Sequence, residues 1–236
     1  MSFVSVAFFV LFALTLATQW LLPSRRLRQL ALLAASYVFY GWWDWRFCFL
    51  MLFLTAVAFF TGLRLEKKPG SRPALALGVM VPLAVLFFFK YMGFFVDSFC
   101  ALFGLNPAGA LRILLPVGIS FYTFQALSYV IDVYRGEVKA QRNFWYMLLY
   151  ISFFPQLIAG PIVKYRDIAQ QILERKETVE KFAAGVMRFC WGLGKKVLLA
   201  NAFAEVVDDI FQYGPEAVSR KALWLGAVLY MLQIYY

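Results

Sequence analysis

Residues 29–63 read QLALLAASYVFYGWWDWRFCFLMLFLTAVAFFTGL. Two apolar runs, Gln29 to Trp43 and Phe47 to Leu63, are divided only by Asp44, Trp45 and Arg46. A helix rises about 1.5 Å per residue, so a hydrocarbon core of about 30 Å takes about 20 residues to cross. Each run is short for a straight crossing, and three residues between them leave room only for a tight turn. The stretch therefore predicts a helical hairpin in a membrane. Trp42, Trp43 and Trp45 at the turn are residues that a membrane–water interface prefers, and Asp44 and Arg46 cancel in charge, as expected of the non-cytoplasmic side.

Composition extends this reading to all 236 residues. Hydrophobic residues make up 63% and charged residues 15%, against about 45–50% and about 25% in ordinary soluble chains, and mean hydropathy is +0.70. Such a chain is neither disordered, nor a soluble enzyme domain, nor a disulfide-stapled module. The net charge of +10 sits between apolar runs, where anionic lipid meets it, so the bilayer and not nucleic acid is the partner expected. There is no histidine, which removes the usual general base and the commonest metal ligand. Cys48, Cys100 and Cys190 are far apart and lack CxxC spacing, so no metal site is expected.

Further spans follow on either side of the hairpin. Ser2 to Ser24 reads as a retained helix, with Arg25, Arg26 and Arg28 after it favouring cytoplasm there and Met1 outside. Arg64, Lys67, Lys68 and Arg72 against Glu66 give the next loop +3, again cytoplasmic. Pro73 to Val96 returns outward, with Pro82 inside it and Lys90 reaching for the interface. A loop with Asn106-Pro107 and Gly109 leads to Ile113 to Ile131. Phe144 to Val163 is interrupted by Pro155, Gly160 and Pro161 and is followed by five basic residues. A broken or re-entrant segment with both flanks cytoplasmic is expected there, then an amphipathic surface helix over 167–181. Phe182 to Ala204 carries Arg188, Lys195 and Lys196 among glycines. Arg188, Glu205 and Asp208 are expected to pair internally, because unpaired charges are costly at membrane depth. Leu223 to Tyr236 begins a last helix.

Tyr122, Gln125, Tyr129 and Asp132 are spaced 3, 4 and 3 apart and share one helix face. That face meets either helix partners through hydrogen bonds or a polar ligand. Around Phe154-Pro-Gln-Leu-Ile-Ala-Gly-Pro161 the prolines and glycine break a helix and free backbone groups beside Gln156. In Gly192-Leu-Gly-Lys-Lys-Val-Leu-Leu-Ala-Asn201, Lys195 and Lys196 stand beside flexible backbone, either at headgroup depth or where they would steer a phosphate-bearing donor. The spacing is not that of a Walker loop.

The runs LPVGISFYTFQALSYVIDVYRG (115–136), FFPQLIAGPIVKY (153–165) and GLGKKVLLAN (192–201), followed by QIYY, resemble the membrane-bound O-acyltransferase family. The runs YGWWDWRF (40–47) and FFKYMGFF (88–95) are similar to its bacterial alginate O-acetyltransferase branch. The resemblance implies an all-α, polytopic helical bundle in the bacterial inner membrane, with broken or re-entrant helices. Residues 1–112 would form N-terminal transmembrane helices and residues 113–236 the first part of the core, cut inside a helix. It implies an O-acyltransferase that relays an acyl group, in this branch acetyl, from a cytoplasmic thioester such as acetyl-CoA. The acceptor would be an extracytoplasmic polysaccharide such as alginate, reached directly or through a periplasmic acetyltransferase partner.

The family associates catalysis with a membrane-embedded histidine. This chain has none, so no catalytic residue transfers onto it, and the 236 residues alone are expected to be inactive. Tyr122, Gln125, Tyr129, Asp132, Gln156, Lys195, Lys196 and Asn201 are the residues expected to line a funnel wall; no bound cofactor and no metal are expected. D-alanyl transfer toward teichoic acid, known in the same family, is the nearest alternative. A transporter and a non-catalytic scaffold are the others.

Overall fold

The computed structural model describes residues 5–104, 113–158, 160–175, 177–213 and 217–236. Among these, every regular element is helical, as expected. They are α1 (Val6–Leu21), α2 (Arg25–Asp44), α3 (Arg46–Lys67), α4 (Arg72–Leu102), α5 (Ile119–Tyr134), α6 (Phe144–Ser152), the single turn α7 (Phe154–Leu157), α8 (Tyr165–Glu174), α9 (Val179–Gly194), a π-helical segment (Lys195–Ala200), α10 (Asn201–Phe211) and α11 (Arg220–Tyr235). The chain divides into two units, Met1–Glu174 and Arg175–Tyr236. Residues of the first 112 and the α5–α8 segment therefore share the first unit.

Small polar residues set the helix starts. Ser5, Ser24, Asn143, Thr178 and Ser219 are extended, and their side chains accept amides of Phe8, Leu27, Trp145, Lys181 and Ala222. Such a cap contributes about 1 kcal/mol. The Ser24 cap draws Arg25 to Arg28 into α2, and α3 takes in Arg46 and Arg64 to Lys67, so α2 and α3 have 20 and 22 residues, longer than the apolar runs alone. Trp45 alone separates them, with an Arg46 Nη2–Asp44 Oδ2 ion pair of 2.7 Å across the turn. The hairpin is as tight as the sequence requires.

Several boundaries differ from the sequence expectation. Pro73 lies in the first turn of α4, where a missing N–H costs nothing, and Pro82 does not stop the helix, which runs 31 residues to Leu102. The segment expected to be helical from Ile113 begins only at Ile119, because Pro116 precedes a turn in which Gly118 takes φ 75°. The amphipathic helix expected over 167–181 is Tyr165–Glu174. The Thr178 cap starts a separate helix that takes Lys181. The Asn106-Pro107 and Gly109 break and Lys176 lie outside the described residues.

In the first unit α3 packs on α2, α4, α5 and α6, and its Met51, Leu54 and Ala58 are fully buried. Missing side chains permit the closest approaches. A Cβ on Gly62 of α3 would lie 2.6 Å from the Tyr129 hydroxyl, and one on Gly78 of α4 would lie 2.9 Å from Val130. Phe8 meets Phe39 and Phe154 edge-on, at 6.1 and 6.2 Å between ring centres, which joins α1, α2 and α7. Both α3 and α4 are long and apolar enough to cross a membrane.

In the second unit α9, the π-helical segment and α10 follow one another without a break, and α10 packs on α11. Gly226 of α11 lies against Ile210 and Phe211. No residue of α9 is buried.

Candidate functional site

The site grows from a broken helix. α6 stops at Ser152, and Phe153 turns the chain into α7 before Pro155. In an unbroken helix the Phe154 amide would donate to the carbonyl of Tyr150. Here it donates instead to Ser36 Oγ of α2 at 3.3 Å, while Ser36 Oγ donates to Leu32 O at 2.9 Å. The Tyr150 carbonyl is not left bare, since Gln156 Nε2 donates to it at 2.8 Å. The Tyr150 hydroxyl reaches the far side of the irregular stretch and donates to Val163 O at 2.9 Å. Interrupted backbone in an apolar surround needs such replacements, because each amide or carbonyl left bare there costs several kcal/mol, on the order of a lost hydrogen bond or more. Gln156, expected as a lining residue, is thus a side-chain cap for the end of α6.

The sequence runs 115–136 and 153–165 meet at this break. Gly118, in the left-handed conformation, faces the Leu157 carbonyl so closely that a Cβ would collide with it. From that turn α5 carries its polar row inward. Tyr122, Gln125, Tyr129 and Asp132 are all buried, at 0%, 1%, 0% and 5% exposure. The row is thus enclosed, and its Tyr122 and Tyr129 hydroxyls meet partners on other elements. Tyr122 accepts from the Tyr40 hydroxyl at 3.4 Å, and Tyr129 accepts from the Gln141 amide at 2.9 Å.

Gln141 ties the lower end of this wall together. Its Nε2 donates to the Tyr165 hydroxyl of α8 at 2.8 Å, and its Oε1 accepts the Asn143 amide at 2.9 Å. The Tyr165 ring stands edge-on to Tyr129 and Tyr150, at 5.1 and 5.3 Å. Burial pushes the Tyr165 phenol above its ordinary value, against the opposing Gln141 bond, so it stays neutral near pH 7. Arg142 pairs with Glu66 at 3.6 Å and Arg166 with Glu137 at 3.0 Å around the rim.

Two acceptors in the row have no donor among the described residues: Gln125 Oε1 and Asp132 Oδ2. No Lys or Arg nitrogen among them lies within 4 Å of the Asp132 carboxylate, and no cluster of three metal-ligating side chains exists there. The arrangement can hold and orient a hydrogen-bond donor. It contains no nucleophile–base pair of the Ser/His or Cys/His kind, because the chain has no histidine.

Lys195, Lys196 and Asn201 belong to the second unit. Lys196 Nζ donates to Asn201 Oδ1 at 2.8 Å, a pairing five residues apart that the wide π-helical turn brings to one side. Lys195 Nζ lies 5.9 Å from the centre of the Tyr236 ring. Arg188, Glu205 and Asp208 form no ion pair among the described residues, contrary to expectation; all three side chains are exposed and point away from the packed faces of their helices. Spacing did not reveal Tyr150, Tyr165, Gln141, Ser36 or Gly62. Each acts through a partner distant in sequence, and the one local signal was the backbone left unpaired by Pro155.

Similarity is high with proteins named probable alginate O-acetylase. The protein of that name from Azotobacter vinelandii is 41% identical over 98% of this chain and 47% of its own length. The one from Pseudomonas aeruginosa is 40% identical over 100% of this chain and 46% of its own length. A peptidoglycan O-acetyltransferase from Helicobacter pylori is 29% identical over 88% of this chain and 45% of its own. The chain thus spans about half the length of the curated relatives it matches. No family model and no solved structure matches it. Its motifs stand in order and this likeness runs along nearly all its residues, which together support a family of the membrane-bound O-acyltransferase type.

Proposed function

We propose that this chain forms part of a multi-pass O-acyltransferase of the bacterial inner membrane, which passes an acetyl group from a cytoplasmic thioester such as acetyl-CoA to an extracytoplasmic polysaccharide of the alginate type. The observation that carries this is likeness to proteins of that name over nearly the whole chain. In this reading α3 and α4 cross the bilayer, and the basic loops around Arg64 to Arg72 and Arg135 to Arg142 lie on the cytoplasmic side. The transfer runs directly or through a periplasmic acetyltransferase partner.

The acyl carbon is electrophilic, and reaction with an acceptor hydroxyl needs a base and groups that hold both reactants in line. This chain's share is positioning. The α5 row, with Gln125 Oε1 and Asp132 Oδ2 unpaired, accepts hydrogen bonds from a donor or acceptor group, and the neutral phenols exclude water around it.

Membranes carrying the protein at its full natural length, given thioester-linked radiolabelled acetyl and polyuronate oligomers, should label the oligomers. Gln125→Leu should cut that labelling roughly tenfold, the loss of about one oriented hydrogen bond. In a parallel assay with radiolabelled D-alanyl thioester and teichoic acid, label transferred there and not to the oligomers would move the acceptor to the alternative in this family. No acyl transfer to either would overturn the reading in favour of a scaffold or transporter.

A further inference from the structure

Ala74, Gly78, Pro82 and Leu86 are the buried residues of α4. They recur every fourth position, and a Cβ on Gly78 would meet Thr61 of α3 and Val130 of α5, so this side is the one packed in the first unit. Beyond Leu86 no residue of the helix is buried. The helix nevertheless continues to Leu102, 31 residues in all, or about 46 Å. α3, with 22 residues, is about 33 Å long and already matches a hydrocarbon core of about 30 Å. Phe47, in the first turn of α3, meets Phe89 edge-on at 6.0 Å between ring centres. With α3 and α4 crossing the bilayer, Phe89 is therefore level with the turn of the α2–α3 hairpin, at the boundary opposite the basic loop Arg64 to Arg72. Lys90, exposed, follows at the depth where an ammonium group reaches water. From there to Leu102 the helix rises about a further 18 Å.

This overhang is apolar where water would meet it. Phe94, Phe95 and Leu102 are 66%, 50% and 78% exposed. With Tyr91 they leave on the order of 400 Å² of apolar surface bare, an area that marks interaction sites. Ring contacts on this side are among its own members: Phe87 with Tyr91 at 6.2 Å and with Phe95 at 5.1 Å. The same side chains belong to a longer seam. Steps of 3 and 4 from Leu77 reach Met80, Ala84, Phe87, Tyr91, Phe94 and Ser98, every one exposed and on the side away from Gly78 and Leu86. Two helices pair over several turns through this repeat, and Ala84 and Ser98 are small enough to let the backbones approach. Lys90 and Asp97 flank the seam, so pairing along it buries no charge.

The occupant has to match a seam that begins inside the hydrocarbon and ends about 18 Å above it. Lipid covers the lower part only, and a sugar chain would find few polar partners among these side chains. A second α4 inserted in the same sense starts and ends at the same heights, presents the same spacing, and is related by a two-fold axis along the membrane normal. Extending the contact from the overhang down to Leu77 brings it toward the roughly 800 Å² per partner of a stable complex. We propose that two copies of this protein pair through α4, in parallel and in register, along the side from Leu77 to Ser98. This goes beyond the acyl-transfer reading; it rests on α4 crossing the bilayer, and its test does not involve acyl transfer.

The test uses full-length protein in native membranes, with every native cysteine replaced by alanine and two differently tagged copies co-expressed. Ser98→Cys, on the seam, treated with a short bismaleimide, should give a product of twice the monomer mass that carries both tags. Val96→Cys, on the side of Gly78, should stay monomeric. Failure of Ser98→Cys to link overturns the proposal, and equal linking at the two positions does so as well, since that is random collision. A linked product containing a different polypeptide also overturns it, and would make the seam a docking site for another membrane protein.

A second measurement needs no cysteine. Phe94→Gln, Phe95→Gln and Leu102→Gln together change only the overhang, so insertion of α4 is left alone. Subunits are counted by stepwise photobleaching in liposomes as the full-length protein is diluted into lipid. The variant should dissociate at least about a hundredfold more readily than the wild type. Equal dissociation, or a wild type that is monomeric throughout, overturns the proposal.

Discussion

The two units use polar residues in opposite ways. In Met1–Glu174 the polar side chains are inward and knitted: Ser36, Gln141, Tyr150 and Gln156 each replace or receive a backbone bond at a place where the helices are interrupted. In Arg175–Tyr236 the charged side chains face outward, Gln233 Oε1 is the one buried acceptor without a partner among the described residues, and Ala200, Val207 and Gly226 are the only buried positions there. A broken helix in an apolar surround must recruit side chains to complete its backbone, whereas a continuous amphipathic one can spend its polar groups on what lies outside. Glycine follows the same division. It admits a neighbouring atom at Gly62, Gly78 and Gly118 in the first unit and leaves open space at Gly185 and Gly192 in the second, where Gly226 alone among these helical glycines is packed.

Glycine substitutions should break that contrast most visibly. Gly118→Ala places a Cβ both at positive φ and against the Leu157 carbonyl, so a loss of about 3 kcal/mol is expected. Thermal unfolding in detergent, followed at the first unit, reads it. Gly185→Ala in open helix should instead stabilise, by about 0.5–1 kcal/mol. Equal destabilisation by the two would remove the distinction between the units.

The next effect lies in the hydrogen bonds of the wall. Tyr129→Phe leaves the Gln141 amide without its acceptor and should cost about 1–3 kcal/mol, the penalty of a bare buried donor. Gln156→Leu strips the Tyr150 carbonyl and should cost about 1 kcal/mol, with little change in any acyl transfer beyond that loss, since Gln156 acts as a cap. A large drop in transfer with stability intact would return Gln156 to the lining of a substrate path.

Alkali sharpens the contrast with the smallest effect. The Tyr165 phenol is raised in the folded state, so its protonated form is favoured there. The associated stability is fully present below its ordinary value near 10 and is lost as pH rises beyond that value. Stability of the first unit, followed by denaturant titration between pH 7 and 11, should hold to about 10 and then fall. Tyr165→Phe should flatten that decline.

Much of the helix order was legible in the sequence, because it rests on apolar runs and on local punctuation. Asp44-Trp45-Arg46 gave the hairpin, Pro155 and Gly160 the break, and the 3-4-3 spacing the buried face of α5. The start of α5 was misplaced because Ile113 to Leu115 are as apolar as the helix, while the geometry is decided by Gly118, whose partner Leu157 is 39 positions away in the numbering. The joint of α8 and α9 was missed for a similar reason. Amphipathic periodicity runs through it, and one threonine cap divides it. In the site, residue types were legible but their assignments were not. Gln156 was expected at a lining and caps a helix, and Gln141, absent from the expectation, holds three elements together. Such roles depend on which backbone groups the fold leaves unpaired, and periodicity carries no record of them.

Side chains of the first unit complete the backbone of the broken segment and so hold the runs 115–136 and 153–165 as one wall. Hydrogen exchange at the Phe154 amide, in full-length protein in nanodiscs, tests it most directly. That amide should be protected although it lies outside any regular helical bond, and Ser36→Ala should speed its exchange roughly tenfold or more while leaving amides of α9 unchanged. Rapid exchange in the wild type, or exchange indifferent to Ser36, would mean that these side chains do not hold the break.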